Sequence, residues 1–315
     1  MAYPGRLGEA IEVWLDGRRQ GLAKASAAMS ARYRGGQSSA GVDPAAYLTA
    51  RLPATHAVNA RVLAEVAERR PDFAPQSLAD IGAGPGTASW AAVAQWPELG
   101  DIEQVEATPA FASLLRDLNA HSGLAVLERA QVREEALVQW AAAPRDLVLA
   151  SYVLAEVALA SLPDALTKLW SASRQVLVLI EPGTPEGFRR IALARAQLLK
   201  AGGVIIAPCT HHAACPMAGA DWCHFKERVQ RSRAHMHAKG ATVPFEDEAY
   251  SYLVVARHGE AEGGARILAP PEGNKTGVAF TACTEQGLQR LVVPARDKPA
   301  FKRAKKLDWG DVWRG

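Results

Sequence analysis

The fold is decided by the stretch Leu78-Ala-Asp80-Ile-Gly82-Ala-Gly84-Pro85-Gly86-Thr87, in which an apolar run ends and three glycines follow. The apolar run has the length of a buried strand, and the residues after Thr87 have the composition of a helix. Glycine lets the backbone turn tightly and approach a ligand closely. The stretch therefore predicts a strand, a ligand-binding loop and a helix. A glycine turn that only closes the strand–helix unit is the alternative.

The spacing of these glycines distinguishes two kinds of cofactor. A dinucleotide site favours Gly-x-Gly-x-x-Gly, whereas this loop reads Gly-x-Gly-x-Gly after an acid. The loop resembles the first motif of class I S-adenosylmethionine (SAM)-dependent methyltransferases, and a nicotinamide or flavin cofactor is the second interpretation. The resemblance implies that Glu106 hydrogen-bonds the ribose hydroxyls of SAM. The cofactor-binding residues that it implies are Asp80, Gly82, Gly84, Pro85, Gly86 and Glu106.

The pattern around the loop predicts the fold class. Residues 5–70 have apolar positions at helical spacing, and from Ser77 onward short apolar runs alternate with helical stretches. Such alternation predicts a parallel sheet with helices on both faces. The resemblance of the glycine loop implies that this is a Rossmann-like doubly wound sheet of the class I methyltransferase type. Four regions are expected: an N-terminal helical region (1–70), a SAM-binding core (71–208), a cysteine-rich metal-binding insertion with a basic helix (209–249), and a last core strand with a basic, β-rich C-terminal extension (250–315).

The sequence assigns no catalytic residue. Methyl transfer to nitrogen often uses an Asn/Asp-Pro-Pro-aromatic motif after the fourth strand, and here that position reads Ala150-Ser-Tyr-Val-Leu154. Tyr152 and Glu156 are candidates for facing a substrate. A core aromatic and a solvated helix acid are the simpler interpretations of these two residues.

The cysteines form the second signal. Only four are present in 315 residues: Cys209, Cys215 and Cys223 lie in one short stretch, and Cys283 lies far downstream. Four thiolates suit either a tetrahedral zinc ion or a [4Fe–4S] cluster. The C-x5-C-x7-C spacing lacks the Cys-x2-Cys pairs of common zinc sites, and flanking prolines favour the cluster, with zinc as runner-up. Buried unliganded thiols, and Cys209 as the nucleophile of a cytosine-5 methyltransferase, stay open.

The net charge is only +3, but the basic residues are concentrated after the cysteines. Residues 225–239 are predicted to form a basic helix, and a second cluster follows at 302–306. A polyanion would be attracted to both segments, although a solvated helix face is the alternative for the first. The predicted RNA contacts are Arg228, Arg231, Lys302, Arg303, Lys305 and Lys306.

Together the motifs resemble the methyltransferase-like family of small-ribosomal-subunit assembly proteins, known from mitochondria and with bacterial relatives. Besides the glycine loop and the four cysteines, the resemblance rests on Glu181-Pro-Gly183, Asp221-Trp-Cys-His-Phe225, Glu246-Asp-Glu248 and Trp309-Gly-Asp311. It implies a class I fold, a [4Fe–4S] cluster on the four cysteines and association with small-subunit ribosomal RNA.

Two functions compete on this basis. The first is methyl transfer to ribosomal RNA, and the second is a non-catalytic assembly factor that uses SAM and the cluster structurally. A small-molecule methyltransferase with structural zinc is a weaker third hypothesis. The chain has no run of about twenty apolar residues, no secretory signal and few cysteines, which predicts no membrane partner and a reducing, cytoplasmic location.

Overall fold

The computed structural model describes residues 5–34, 41–217 and 221–315. The glycine- and serine-rich stretch of residues 34–41 predicts a turn between two helical groups, and most of it lies outside the described residues. The chain divides into two compact units. The first unit comprises Met1–Leu179 and Glu227–Glu248, and the second comprises Ile180–Lys226 and Ala249–Gly315.

The helices follow the apolar periodicity of the sequence. Asp43 caps the helix that begins at Pro44 by accepting a hydrogen bond from Ala46 N at 2.9 Å, and Thr184 caps the helix that begins at Pro185 by accepting one from Gly187 N at 3.1 Å. In the described residues the helices are α1 (Gly5–Leu15), α2 (Leu22–Arg34), α3 (Pro44–Ala50), α4 (Leu52–Arg69), α5 (Thr87–Gln95), α6 (Pro109–Ala120), α7 (Ala125–Glu128), α8 (Leu162–Ala172), α9 (Pro185–Lys200), α10 (Arg233–Lys239) and α11 (Lys298–Ala304). Helices α1 to α4 lie within the stretch that was expected to form an N-terminal helical region. No described helix is long and apolar enough to cross a membrane.

The strands belong to two sheets. They are β1 (Ser77–Ile81), β2 (Asp101–Val105), β3 (Gln131–Arg133), β4 (Arg145–Ser151), β5 (Ser173–Pro182), β6 (Val204–Ala207), β7 (Phe225–Gln230), β8 (Phe245–Ala256), β9 (Ala265–Ile267), β10 (Glu272–Gly273), β11 (Gly277–Thr284), β12 (Gly287–Pro294) and β13 (Val312–Trp313). The larger sheet has the order β3-β2-β1-β4-β5-β8-β6, with β7 beside β8.

The order of the larger sheet confirms the predicted fold class. Strand β1 pairs in parallel with both β2 and β4, whereas β6 pairs antiparallel with β8. Strand β1 is buried along its whole length, as a central parallel strand covered on both faces must be. A doubly wound sheet of this kind binds ligands beyond the carboxyl ends of its parallel strands. The glycine loop follows β1 at that edge.

The smaller sheet carries the basic C-terminal helix. Its order is β10-β11-β9-β13, with β12 beside β11. Ile267, Val278 and Phe280 form its core, and α11 packs Ala300 and Ala304 into the same cluster. Because one face of α11 is buried, its basic side chains are exposed on the other face. The basic C-terminal extension was predicted as short strands, and the structure places this helix within it.

The prediction of one basic helix over residues 225–239 is wrong in its first half. Residues Phe225–Gln230 form strand β7, and the helix α10 starts only at Arg233. Phe225 and Val229 are buried four residues apart, a spacing that fits a helix face and equally one face of a strand. Pairing with β8 decides for the strand. Arg228 therefore lies on a strand and does not share a helix face with Arg231.

Candidate cofactor site and cysteine cavity

The glycine loop lies in the first unit, directly after β1. Gly82 has a φ of +69°, and a Cβ added there would lie 2.4 Å from Val153 Cγ2. Gly84 has a φ of +55°, and an added Cβ would meet nothing within 4 Å. Both residues are in the left-handed region that favours glycine. Gly82 is thus required by packing within the chain, whereas Gly84 leaves open space beside the loop, as a bound ligand would need.

The acid Glu106 follows β2 and is tied to this loop. Its Oε2 accepts a hydrogen bond from Gly84 N at 2.8 Å, and its Oε1 accepts one from Thr108 N at 2.7 Å. Burial raises the pKa of Glu106, and these two backbone donors oppose that rise. Each carboxylate oxygen can accept more than one hydrogen bond, so capacity remains for two hydroxyl donors such as those of a ribose.

The acid Asp80, one residue before the end of β1, ties this strand to helix α5. Its Oδ2 accepts hydrogen bonds from Ser89 N at 3.0 Å and from Ser89 Oγ at 2.7 Å. Burial raises the pKa of Asp80 to about 6, although the bonds from Ser89 lower it. Pro85 and Gly86 are also buried. Of the predicted set, these three residues are therefore buried, whereas Gly84 is partly exposed and is bonded to Glu106.

The carboxyl end of β4 carries a strained residue. Tyr152 has a φ of +60°, and it is the one non-glycine residue with positive φ in the described part of the chain. The Arg51 guanidinium lies 5.1 Å from the centroid of the Tyr152 ring. Arg51 also makes two bonds of 2.8 Å to the carboxylate of Glu248. Sequence reasoning missed Arg51. Its partner Glu248 belongs to the acidic motif quoted above.

The four cysteines lie in the second unit, and all four line one cavity. Burial raises the pKa of Cys223 well above its ordinary value, and it raises the pKa of Cys283 to about 12. The nearby Cys209 and Cys215 raise both values further, so the thiols are close enough to influence one another. Within residues 5–34, 41–217 and 221–315, no three His, Cys, Asp or Glu side chains are arranged to hold a metal ion.

Two buried arginines border the cysteine cavity. Arg195 Nε lies 3.4 Å from Cys209 Sγ, and Arg195 Nη2 donates to the carbonyl of Ala213 at 2.7 Å. Arg266 Nε donates to the carbonyl of Pro208 at 2.7 Å. Burial raises the pKa of Cys209, and both guanidinium groups oppose this rise. A cavity that joins four thiols to two buried positive charges has the electrostatics for an anionic group. No sequence motif pointed to either arginine.

The predicted RNA contacts differ in their availability. Arg228 Nε lies 2.7 Å from Asp247 Oδ1, and Arg231 Nη2 lies 2.9 Å from Glu246 Oε2. In contrast, the four basic residues of the C-terminal cluster are exposed, and no described side-chain carboxylate lies within 4 Å of them. This cluster is Lys302, Arg303, Lys305 and Lys306. It is the part of the predicted set that is free to contact a polyanion.

The sheet order and the glycine loop define a methyltransferase-like α/β protein. Residues 41–314 match the family described as mitochondrial small ribosomal subunit Rsm22. The chain therefore belongs to the Rsm22 family, which confirms the methyltransferase-like ribosomal resemblance. The matched range includes the glycine loop, Glu106 and all four cysteines.

Two curated relatives match most of this chain, but the chain covers only part of their length. It is 27% identical over 288 residues to the human ribosome assembly protein METTL17, mitochondrial, covering 84% of this chain and 61% of that protein. It is 27% identical over 320 residues to the mitochondrial Rsm22-cox11 tandem protein 2 of Schizosaccharomyces pombe, covering 85% of this chain and 42% of that protein. The chain thus spans less than two thirds of either relative.

Among solved structures, the chain is similar to magnesium protoporphyrin IX methyltransferase from Synechocystis with bound SAM. The TM-score is 0.43 at 15% identity, covering 65% of this chain and 80% of that one. The fold class is assigned from the strand order of the chain itself.

The predicted cytoplasmic location is wrong. The matching family and both relatives above carry mitochondrial names. Low cysteine content and the lack of an apolar leader predicted a reducing compartment, but these features do not distinguish the cytosol from the mitochondrial interior.

Proposed function

We propose that this chain is a SAM-binding, methyltransferase-like protein that acts on the ribosomal RNA of the assembling small ribosomal subunit, and that its four cysteines carry a [4Fe–4S] cluster. The observation that carries the proposal is the family match over residues 41–314, which includes both candidate sites. The location that accompanies the proposal is the mitochondrion, as in the names of the relatives.

The geometry of the glycine loop supports SAM as the cofactor. The open space beside Gly84 and the carboxylate of Glu106 lie together at the carboxyl edge of β1 and β2, joined by the hydrogen bond between them. Glu106 would hold the ribose hydroxyls, and the loop backbone would lie against the methionine part. SAM supplies a methyl group already activated by its sulfonium. The chain would then contribute position and the exclusion of water.

Isothermal titration calorimetry with SAM tests the cofactor assignment. Glu106→Gln should weaken SAM binding about tenfold or more, because the amide accepts one backbone hydrogen bond and opposes the other donor. Glu98→Gln is the matched control, since Glu98 is an exposed acid of the same unit that precedes β2 at its amino end, away from the glycine loop. Equal SAM affinity in wild type and Glu106→Gln would remove Glu106 from the site.

A non-catalytic assembly factor is the second candidate function. The sequence Ala150-Ser-Tyr-Val-Leu154 after β4 lacks the methyl-transfer motif, and this observation favours binding without turnover. Methyl incorporation from radiolabelled SAM into small-subunit ribosomal RNA separates the two candidates. Labelled RNA that is lost with Glu106→Gln supports the enzyme. SAM binding without labelled RNA supports the assembly factor.

The common cavity of the four thiols supports one shared metal site. Four thiolates suit a [4Fe–4S] cluster, and a tetrahedral zinc ion is the runner-up. The two buried guanidinium groups would offset the negative charge of the thiolates. Cys209, Cys215, Cys223 and Cys283 would be the ligands.

Anaerobic purification with absorbance and metal analysis tests the cluster. A broad band near about 400 nm with about four irons and four sulfides per chain is expected. Cys283→Ser should lose both, whereas Thr276→Ala should keep them, because Thr276 is exposed in the same unit and does not line the cysteine cavity. Colourless protein with one zinc ion per chain would show that the site holds a structural zinc ion and not a cluster.

The exposed C-terminal cluster supports contact with RNA phosphates. Charge reversal at Lys302, Arg303, Lys305 and Lys306 should weaken RNA binding and flatten its dependence on salt. Arg228→Gln with Arg231→Gln is the matched control, because these arginines are already paired with carboxylates. If the reversed variant binds RNA as tightly as wild type at matched salt, the basic cluster is not the contact.

A further inference from the structure

Three aromatic rings form a half-buried group in the second unit that the functions above do not use. Trp222 stacks on His224 with ring centroids 5.2 Å apart and an interplanar angle of 23°. His224 in turn meets Trp309 edge-on, with centroids 5.1 Å apart. We call Trp222, His224 and Trp309 the aromatic strip. All three side chains are partly exposed. Partly exposed tryptophans are enriched where proteins contact partners.

Different contacts position the two tryptophans of the aromatic strip. Trp222 Nε1 donates a hydrogen bond to the carbonyl of Gly183 at 2.9 Å, which fixes the plane of its ring. The Trp309 backbone N–H donates to Asp308 Oδ1 at 2.7 Å, and the Trp309 ring packs edge-on against His224. A ring with a fixed plane loses little conformational entropy when a ligand stacks on it. Trp222 is therefore preorganised for a planar ligand.

Positive charge lies beside the strip. The Lys226 ammonium is 5.2 Å from the centroid of the Trp309 ring, and Lys226 is exposed. The exposed basic cluster of residues 302–306 ends three residues before Trp309. Asp221 and Asp308 each accept a hydrogen bond from the backbone N–H of the following tryptophan. Lys226 would attract phosphates to the side of the rings.

From this arrangement we infer that the aromatic strip stacks the bases of single-stranded RNA while Lys226 and the basic cluster contact its phosphates. Stacking on aromatic rings next to a basic track is the general mode of single-strand recognition, and it tolerates any base. A duplex hides its base faces and cannot use the rings. The inference rests on the proposed association with RNA and names the form of RNA that the surface selects.

Fluorescence anisotropy with two labelled RNAs tests the inference. One is an unstructured strand of about 12 nucleotides, within the usual site size, and the other is a hairpin duplex of equal charge. Trp309→Leu and Trp222→Leu should each weaken binding of the single strand about tenfold, because one stacked base is lost. Binding of the hairpin and the salt dependence of both RNAs should stay unchanged, because no phosphate contact is removed.

Conservative and control variants separate stacking from structural damage. Trp309→Phe keeps a stacking ring and should recover most of the affinity for the single strand. Leu288→Ala removes an exposed apolar side chain of the same unit and should change nothing. In wild type, a strand containing 5-bromouridine should crosslink under ultraviolet light to peptides containing Trp222 or Trp309.

The outcomes are distinct. Crosslinks confined to other peptides, or equal losses for strand and hairpin in Trp309→Leu, would overturn the inference while RNA binding itself stands. Wild-type protein that binds neither RNA would overturn the proposed RNA association and this inference with it. Single-strand binding that depends on both tryptophans would support both.

Discussion

Adding one methyl group at two neighbouring loop glycines should separate stability from cofactor binding. Gly82→Ala places a Cβ 2.4 Å from Val153 Cγ2 at a φ of +69°, whereas Gly84→Ala places it in open space at a φ of +55°. A left-handed alanine costs about 1–2 kcal/mol at either position. Overpacking adds about 1–3 kcal/mol at Gly82 alone. Alanine also restricts the unfolded chain more than glycine does, and this stabilises the folded state of both variants by about 0.4–1 kcal/mol.

The net loss in unfolding free energy is therefore about 2–4 kcal/mol for Gly82→Ala and about 1 kcal/mol for Gly84→Ala. Urea unfolding followed by circular dichroism measures both values, provided that the unfolding free energy has the same slope against urea concentration in the variants and in wild type. Calorimetry with SAM should show the reverse ranking for binding. Gly84→Ala should weaken SAM binding at least about tenfold, because its methyl group occupies the space left for the ligand.

Two results would refute this reasoning. If Gly82→Ala is no less stable than Gly84→Ala, the close approach of the loop to Val153 is not a packing constraint. If Gly84→Ala binds SAM as wild type does, the open space beside Gly84 is not where the cofactor lies. Gly202→Ala is a suitable control, because this glycine also has a positive φ with nothing within 4 Å but lies outside the loop.

Three further variants test the electrostatics. Burial raises the pKa of Asp80 from 3.8 to about 6. Folding therefore takes up a proton between these pH values, and the free energy of unfolding falls as pH rises through them. Asp80→Asn should abolish this fall in urea titrations at a series of pH values, and an unchanged pH profile would contradict the pKa shift. Burial opposes ionisation of Glu246, but bonds from His235, Lys239 and Arg231 hold its pKa well below 4.5. Its contribution is therefore present above pH 4.5 and lost as pH falls, and Glu246→Gln should cost about 2 kcal/mol at pH 7 with a flatter acid limb in the same titration. Arg195→Met keeps the buried volume but removes the donor to the Cys209 sulfur. In a competition with a chelator, the variant should hold its metal about 10- to 100-fold more weakly than wild type. If the variant retains its metal as wild type does, Arg195 does not support the site.

The local pattern of the sequence determined most of the fold. Apolar runs at residues 78–81 and 147–150 became the central strands β1 and β4, because a continuous apolar run of that length is stable only when both faces are covered. The glycine spacing and the acid at Glu106 predicted which strand ends would meet, since the carboxyl ends of parallel strands share one edge. The number of cysteines also led to the expectation of one common site, and all four line one cavity.

Tertiary pairing decided what the local pattern left ambiguous. Phe225 and Val229 suit a helix or a strand equally, and only β8 made residues 225–230 a strand. Whether a basic side chain is available depends on its neighbours in space, so Arg228 is paired with Asp247 although the sequence separates them by 18 intervening residues.

The same distinction holds at the two sites. Glycines and cysteines are visible in sequence because few other residues can replace their backbone freedom or their sulfur chemistry. Arg51, Arg195 and the aromatic strip are ordinary residue types, and their meaning lies in what they touch: the Tyr152 ring, the Cys209 sulfur and one another. Contacts between residues distant along the chain form only when the chain folds, and for that reason only the tertiary structure could decide them.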